Sequence, residues 1–194
     1  MADAPSGSES KHLDRTAVFV DAGYLFASGS RLIAGDKLAR SQLHLDHEAV
    51  LGVLGDLVKE TGLPLLRIYW YDGASTGPNA AHVALAYRPS LKLRLGQVTA
   101  QGQQGVDQLL VEDLVTLAKN HAMADAVLLT GDDDIRTGVE QAQAFGVRVH
   151  LVGIPPARDN QAAALVQAAD RVRELSEATL KSFLSLAPKR PPSG

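Results

Sequence analysis

Aspartates in three separate segments of the chain are candidates for a shared metal site. Asp21 comes directly after an apolar run that is typical of a strand, and Asp132 and Asp134 come after a second such run. In open parallel sheets, ligands bind outside the carboxyl ends of the strands. We therefore expect these three side chains to converge in one crevice, with Asp107 from the middle of the chain as a fourth candidate.

Such a convergence needs a compensating positive charge. Two carboxylates 4 Å apart repel each other by roughly 4 kcal/mol at an effective dielectric constant near 20. A bound divalent cation is the simplest way to offset that repulsion. The spacing of the aspartates therefore predicts a metal site.

Each aspartate also has an ordinary structural interpretation. Asp21 could be a turn residue or a helix cap, and the dipole of a helix favours a carboxylate in its first turn, where Asp107 falls, by about 0.3–1 kcal/mol. The run of three aspartates at 132–134 is harder to explain in this way, because one carboxylate is enough to cap a helix. We expect Asp132 and Asp134 to point inward while Asp133 caps the helix or faces solvent.

Several other kinds of site are excluded or disfavoured by the sequence. The chain has no cysteine, which excludes disulfides, a thiol nucleophile and a cysteine zinc site. Its six histidines show no His-x-x-x-His pair, and the motif of the serine hydrolase elbow is absent. A phosphate-binding Walker loop and a dinucleotide-binding glycine fingerprint are absent as well.

The elements that must position the aspartates alternate along the chain. Short apolar runs predict strands over residues 16–20, 65–71, 91–98, 126–130 and 147–152. Apolar residues at helical spacing predict helices over residues 46–62, 106–120, 134–145, 160–168 and 177–186. The segments at 72–79 and 99–105 are predicted to be loops. This alternation favours an α/β fold, a doubly wound, mostly parallel sheet with helices on both faces.

Length and composition favour one folded domain over residues 14–186. We expect residues 1–13 to be a disordered leader and residues 187–194 a disordered tail. The net charge of −3 argues against binding to nucleic acid by bulk charge alone but leaves room for a local basic groove. The lack of cysteine, of a signal peptide and of a membrane-spanning apolar run fits a cytoplasmic protein without membrane contact. Apolar residues near the C-terminus are expected to pack on the domain, or else on a second copy in a homodimer.

The three acidic segments together resemble the NYN domain, a branch of the PIN-like nuclease superfamily. The resemblance is carried by residues 18–25, 105–114 and 128–135, and it covers about residues 16–153. It implies a doubly wound parallel sheet, a site for Mg²⁺ or Mn²⁺ and activity as a metal-dependent endoribonuclease. By position, Asp21 matches the acid after the first strand, and Asp107 matches the mid-chain helical acid.

Asp132 and Asp134 match the two acids of the third family motif. The implied metal ligands and catalytic residues are thus the four aspartates, with Asp21 and Asp132 as first choices for the metal. The implied partner is RNA, either single-stranded or structured, and RNA needs positive and aromatic contacts. The candidates for those contacts are Tyr24, Tyr71, Arg88, Lys92 and Arg94.

Three positions depart from the pattern of the family. Tyr24 stands where the family often has asparagine, Gln104 where it often has lysine, and Ile135 where it usually has phenylalanine. Loss of the asparagine and the lysine could remove groups that orient a water or a phosphate. The alternative function is therefore a PIN-like module of weak or no activity that binds RNA or a protein partner.

Overall fold

The computed structural model describes residues 14–74, 76–99 and 102–188. Its strands are β1 (Thr16–Asp21), β2 (Leu43–Leu45), β3 (Leu65–Ala74), β4 (Leu91–Thr99), β5 (Gly102–Gln104), β6 (Asp125–Leu129), β7 (Arg148–Gly153), β8 (Arg171–Glu174) and β9 (Leu184–Leu186). Its helices are α1 (Ala22–Ala34), α2 (His47–Lys59), α3 (Ala80–Ala86), α4 (Val106–Lys119), α5 (Arg136–Ala144), α6 (Ala163–Ala168) and α7 (Glu177–Phe183). Short 3₁₀ turns precede β2, α5 and α6.

Seven strands form the main sheet in the order β5-β4-β3-β1-β6-β7-β8. All neighbouring strands in it are parallel except β4 and β5, which are antiparallel. The chain proceeds from β1 through β3 to β4 on one side and returns to β6 on the other. The order of the strands therefore reverses between β1 and β6, which is where open α/β sheets bind ligands.

Side chains of the central strands alternate between two apolar layers. Val18 and Val20 of β1 pack into the layer that α1, α2, α3 and α7 cover, whereas Ala17 and Phe19 pack into the layer that α4, α5 and α6 cover. Every residue of β1 is buried. The sheet is thus covered on both faces, and β1 holds its terminal residue Asp21 at the reversal point.

The predicted fold class is confirmed, and the five predicted strands are all present with shifts of a few residues at their ends. The helix predicted over 177–186 is too long, because it ends at Phe183 and the chain then continues as β9, which pairs with β2. The helix predicted over 160–168 begins only at Ala163. The loop predicted over 99–105 contains β5, whose backbone hydrogen-bonds to the edge of β4.

The apolar residues near the C-terminus pack mainly on the domain itself. Leu175, Leu180, Phe183 and Leu184 are buried in the layer that contains α1 and α2, whereas about half of Leu186 is exposed, at 53%. The leader predicted over 1–13 and residues 189–194 of the predicted tail lie outside the described residues. In the part of the chain that the structure describes, no helix combines the length and the apolar character needed to cross a bilayer.

Candidate metal centre

Three of the predicted aspartates meet at the carboxyl end of the sheet. One carboxylate oxygen each from Asp107, Asp132 and Asp134 can be chosen so that all three lie within 4.8 Å of one another. Two oxygens bound to one Mg²⁺ at about 2.1 Å lie at most about 4.2 Å apart, so small side-chain rotations would suffice. Mg²⁺ and Mn²⁺ bind oxygen ligands such as carboxylates and water, and the residues present therefore fit such an ion.

Asp21 lies beside this group but has a different environment. It ends β1 and caps α1, because Oδ1 accepts a hydrogen bond from the Tyr24 backbone N–H at 3.0 Å. Oδ2 accepts one from Oγ1 of Thr130, which follows β6, at 3.1 Å. Asp21 is only 7% exposed. The hydrogen bond between Asp21 and Thr130 thus links β1 to the end of β6 at the base of the site. Among the described residues, Asp21 does not belong to the group of three carboxylates.

The turn after β6 places Asp132 and Asp134. Asp132 caps the 3₁₀ turn that follows it, since Oδ1 accepts a hydrogen bond from the Asp134 backbone N–H at 3.0 Å. Gly131 precedes the turn, and a Cβ at that position would overlap the carbonyl oxygen of Asn160 and the ring of Tyr24. The backbone conformation that places Asp132 and Asp134 at the site thus requires glycine at position 131.

Asp107 reaches the site from the other element that borders it. It lies in the first turn of α4, where the helix dipole favours a negative charge. The distance between α4 and α5 is set at Gly138, because a Cβ there would lie 3.1 Å from the methyl groups of Val111. The close packing of these two helices therefore brings Asp107 to the aspartates that precede α5.

The electrostatics of the site match the repulsion expected from the sequence. Burial, and then the charges of Asp21, Asp132 and Asp134, raise the pKa of Asp107 to about 6. Burial also raises the pKa of Asp21, against hydrogen bonds that lower it. A cation bound between these carboxylates would stabilise their charged forms.

Tyr24 lines the same crevice, and its hydroxyl group is hydrogen-bonded within the protein. The hydroxyl donates to Oδ1 of Asn160 at 2.5 Å and accepts from the backbone N–H of Ile154 at 3.0 Å. Burial raises the pKa of Tyr24 to about 12. Tyr24 thereby ties α1 to the segment that follows β7, and stacking of a base on its ring stays a prediction.

Two of the residues predicted to contact nucleic acid have partners inside the protein: the burial of Tyr71 leaves no ring face for base stacking, whereas a contact between the partly exposed Arg94 and RNA stays a prediction. Tyr71 is fully buried, and its hydroxyl donates to Oδ2 of Asp113 at 2.9 Å, so its ring is enclosed between the sheet and α4. The guanidinium group of Arg94 donates to both carboxylate oxygens of Asp113, at 2.8 and 3.0 Å. Both side chains serve to hold α4 on the sheet.

The other two predicted cations lie away from the acidic site. Arg88 pairs with Glu48 of α2, and Lys92 is exposed on β4. Neither is among the residues that line the crevice. A contact between either residue and RNA stays a prediction. Asp133 is exposed and forms an ion pair with Arg136. The expectation that Asp132 and Asp134 point inward is not met, because both are exposed as well, and it is Asp132 that caps the turn.

The crevice contains cations that sequence reasoning missed. It has a volume of about 800 Å³, with Asp21, Asp107 and Asp132 at one end. Arg31, Lys37 and Arg40 line it as well. The signal in the sequence was weak, because these residues lie in α1, which was not predicted, and in the irregular segment after it.

Comparison with known proteins identifies a family for most of the chain. The model of the NYN domain family matches residues 15–176. The uncharacterized protein y4oD of Sinorhizobium fredii is 50% identical over 109 residues, which are 56% of this chain and 51% of that protein. The chain thus matches about half of the length of this relative.

Two solved structures show a weaker similarity. A protein assigned to the isochorismatase hydrolase family from Chromobacterium violaceum is 16% identical, with 89% of this chain and 94% of that chain covered and a TM-score of 0.36. A protein assigned as an oxidoreductase from Parabacteroides merdae is 8% identical, with 84% and 31% covered and a TM-score of 0.31. Neither similarity bears on the function of this chain.

Proposed function

The chain belongs to the NYN domain family, a branch of the PIN-like nuclease superfamily, and from this premise we propose that it is a metal-dependent endoribonuclease. The proposed reaction is hydrolysis of RNA phosphodiester bonds with Mg²⁺ or Mn²⁺ as the cofactor. The single observation that carries the proposal is the group of carboxylate oxygens of Asp107, Asp132 and Asp134 within 4.8 Å of one another, two of which, those of Asp107 and Asp132, belong to residues that line the crevice at the reversal point of the sheet.

The four aspartates have two proposed roles, which are to bind the ion and to orient the attacking water. Asp107, Asp132 and Asp134 would hold the ion, which retains several water molecules when carboxylates alone bind it. When bound, the ion polarises a phosphate oxygen and lowers the pKa of a coordinated water. Asp21, fixed by Thr130 and by the N-terminus of α1, would accept a hydrogen bond from the attacking water.

Substitution of single aspartates tests this proposal. Asp132→Asn and Asp21→Asn are expected to lower the cleavage rate of an end-labelled single-stranded RNA in Mn²⁺ by at least ~100-fold, which corresponds to about 2.7 kcal/mol of transition-state stabilisation. Asp133→Asn is the matched control, because Asp133 is adjacent but pairs with Arg136 instead of joining the group of three. Circular dichroism verifies that each variant is folded.

Three results of these measurements would contradict the proposal or its site. Cleavage that persists in Asp132→Asn and Asp21→Asn at the rate of the native chain would contradict the assignment of the site. Cleavage that is insensitive to EDTA would contradict the metal dependence. Equal losses in Asp133→Asn and Asp132→Asn would mean that charge near the crevice matters and the donor set does not.

A second candidate function is favoured by the surroundings of Tyr24. The family often has asparagine at this position, and in this chain the hydroxyl group of Tyr24 is committed to Asn160 and Ile154. Because its single hydroxyl proton is already donated to Asn160, Tyr24 has no hydrogen bond left to donate to a phosphate. The second candidate is therefore a PIN-like module that binds RNA or a protein without cleaving it. Tight RNA binding with no products in a sensitive Mn²⁺ assay would support it.

A further inference from the structure

The crevice extends well beyond the acidic group, along one side of α1. Several residues of α1 line it, and among them Gly23, Ala27 and Arg31 follow one another at intervals of four, which places them on one side of the helix. The lining residues of α1 are Gly23, Tyr24, Phe26, Ala27, Ser28 and Arg31. From Ala22, which starts α1 beside Asp21, to Arg31 the helix rises by about 14 Å. The crevice therefore extends from the carboxylates to the turn of α1 that carries the cation Arg31.

The floor between these two ends is made of small side chains. Gly23, Ala27 and Ser28 leave the surface of α1 open to a ligand that lies along it. Phe26 borders the same space, and the guanidinium carbon of Arg40 lies 4.1 Å from the centroid of its ring. An extended, negatively charged chain could lie on this floor with one part at the carboxylates.

The segment after α1 is held over the crevice by specific contacts. Gly35 ends α1 with a φ of +79°, a left-handed conformation that turns the chain back. The hydroxyl of the buried Ser30 accepts a hydrogen bond from the Leu38 backbone N–H at 3.2 Å. Nη1 of Arg40 donates to the buried Asp72 at 2.6 Å. These contacts place Lys37, which lies between them, at the wall of the crevice.

Arg31 and Lys37 differ from the other basic residues around them. Both are exposed, and within the described part of the chain neither forms an ion pair. Arg40, in contrast, is paired with Asp72, as Arg88 is with Glu48. Arg31 and Lys37 are therefore free to neutralise the charge of a ligand without breaking a contact inside the protein.

We propose that Arg31 and Lys37 bind phosphates of a single-stranded RNA on one side of the bond that faces the aspartates. This inference rests on the proposed function, since it takes RNA as the ligand of the crevice. The strand would run along α1, over Gly23, Ala27 and Ser28, with its next phosphates at the two cations. The crevice has carboxylates at one end and cations at the other, and this separation of charge sets the line along which the strand lies.

The test measures binding of a fluorescently labelled single-stranded RNA as a function of salt concentration. Ca²⁺ replaces Mn²⁺, and a denaturing gel verifies that the RNA stays intact. Each neutralised phosphate contact to a single strand contributes about 0.7 to the slope of log affinity against log salt. The double variant Arg31→Ala/Lys37→Ala is expected to lower the slope by about 1.4 and the affinity at low salt by ~10-fold or more.

The matched control is Lys59→Ala/Lys119→Ala, which removes the same charge from exposed positions that do not line the crevice. It is expected to change the slope by less than about half a unit. Native affinity and slope in the Arg31/Lys37 variant, equal losses in the control, or no measurable RNA binding by the native chain would each overturn the inference. Because binding needs no turnover, a chain that binds RNA through these cations but cleaves nothing in Mn²⁺ would overturn only the proposed function.

Discussion

Asp107 and Asp113 lie six residues apart on α4, and the groups that surround their carboxylates differ in charge. Asp107 faces other carboxylates, which together with burial raise its pKa to about 6. Asp113 accepts hydrogen bonds from Tyr71 and from two nitrogens of Arg94. In the metal-free protein, the Asp107 carboxylate is therefore repelled by its neighbours, whereas the Asp113 carboxylate stabilises the position of α4 on the sheet.

This difference predicts opposite effects of two matched substitutions. The pKa of Asp107 is about 6 in the folded chain, against 3.8 for an ordinary aspartate in the unfolded chain. Between these two pH values the folded state binds more protons than the unfolded state. The free energy of unfolding therefore falls as pH rises from about 4 to about 6. Above pH 6, metal-free Asp107→Asn is expected to be more stable than the native chain. Discounted for solvent screening, the gain is about 1 kcal/mol, or roughly 2–4 °C in Tm.

Asp113→Asn is expected to lower the Tm at the same pH, because it removes a charge that three donors surround. Thermal unfolding in EDTA at several pH values measures both variants. The pH slope between about 4 and 6 should flatten in Asp107→Asn only. A stability loss in both variants would mean that the repulsion at Asp107 is already compensated in the metal-free protein.

Tyr24 allows a second prediction at the level of one atom. Tyr24→Phe removes the donor to Asn160 and the acceptor of the buried Ile154 N–H, and is expected to lower the free energy of unfolding by about 1–3 kcal/mol. Tyr87→Phe is the control, because Tyr87 is 85% exposed. Urea unfolding measures both changes. Equal changes in the free energy of unfolding would show that the hydroxyl of Tyr24 does not stabilise the fold.

At the scale of elements, the site depends on how closely α4 and α5 pack. Gly138→Leu would place a large side chain against Val111, with a cost of about 1–3 kcal/mol in stability and a weaker affinity for Mn²⁺ as Asp107 moves away from Asp132. Adding Val111→Ala to this variant is expected to restore part of both losses. Mn²⁺ titration monitored by calorimetry measures the affinity, and an unchanged affinity in Gly138→Leu would contradict this account.

The elements differ in how far the sequence determines them. The strands around the site follow from runs of apolar residues, because a strand that is buried on both faces needs little but hydrophobicity. Helix α1 was not predicted, since its two glycines and two serines lower its intrinsic helix propensity. It forms because Asp21 caps it and Leu25 anchors it in the core. The cations of the crevice were missed with it.

At the scale of the molecule, a metal that binds only the folded chain must stabilise it. At a free Mn²⁺ concentration 100 times the dissociation constant, the expected gain is about 2.7 kcal/mol, or roughly 5–11 °C in Tm. Asp132→Asn is expected to lose most of this gain, and Asp133→Asn to keep it. A thermal shift assay with and without Mn²⁺ measures the difference, and an equal shift in all three proteins would contradict a site at Asp132.

The α/β class, the five main strands and the position of the acidic residues at strand ends follow from the amino-acid sequence alone, because hydrophobic runs and the residues that follow them are local. The three-dimensional structure was needed to show that Asp107, Asp132 and Asp134 lie together while Asp21 is held beside them by Thr130. It also showed that Tyr71 is enclosed and that Arg31 and Lys37 face the crevice. Burial, ion pairing and the distance between charges depend on which helix covers which face of the sheet, and that is a property of contacts between residues far apart in the chain.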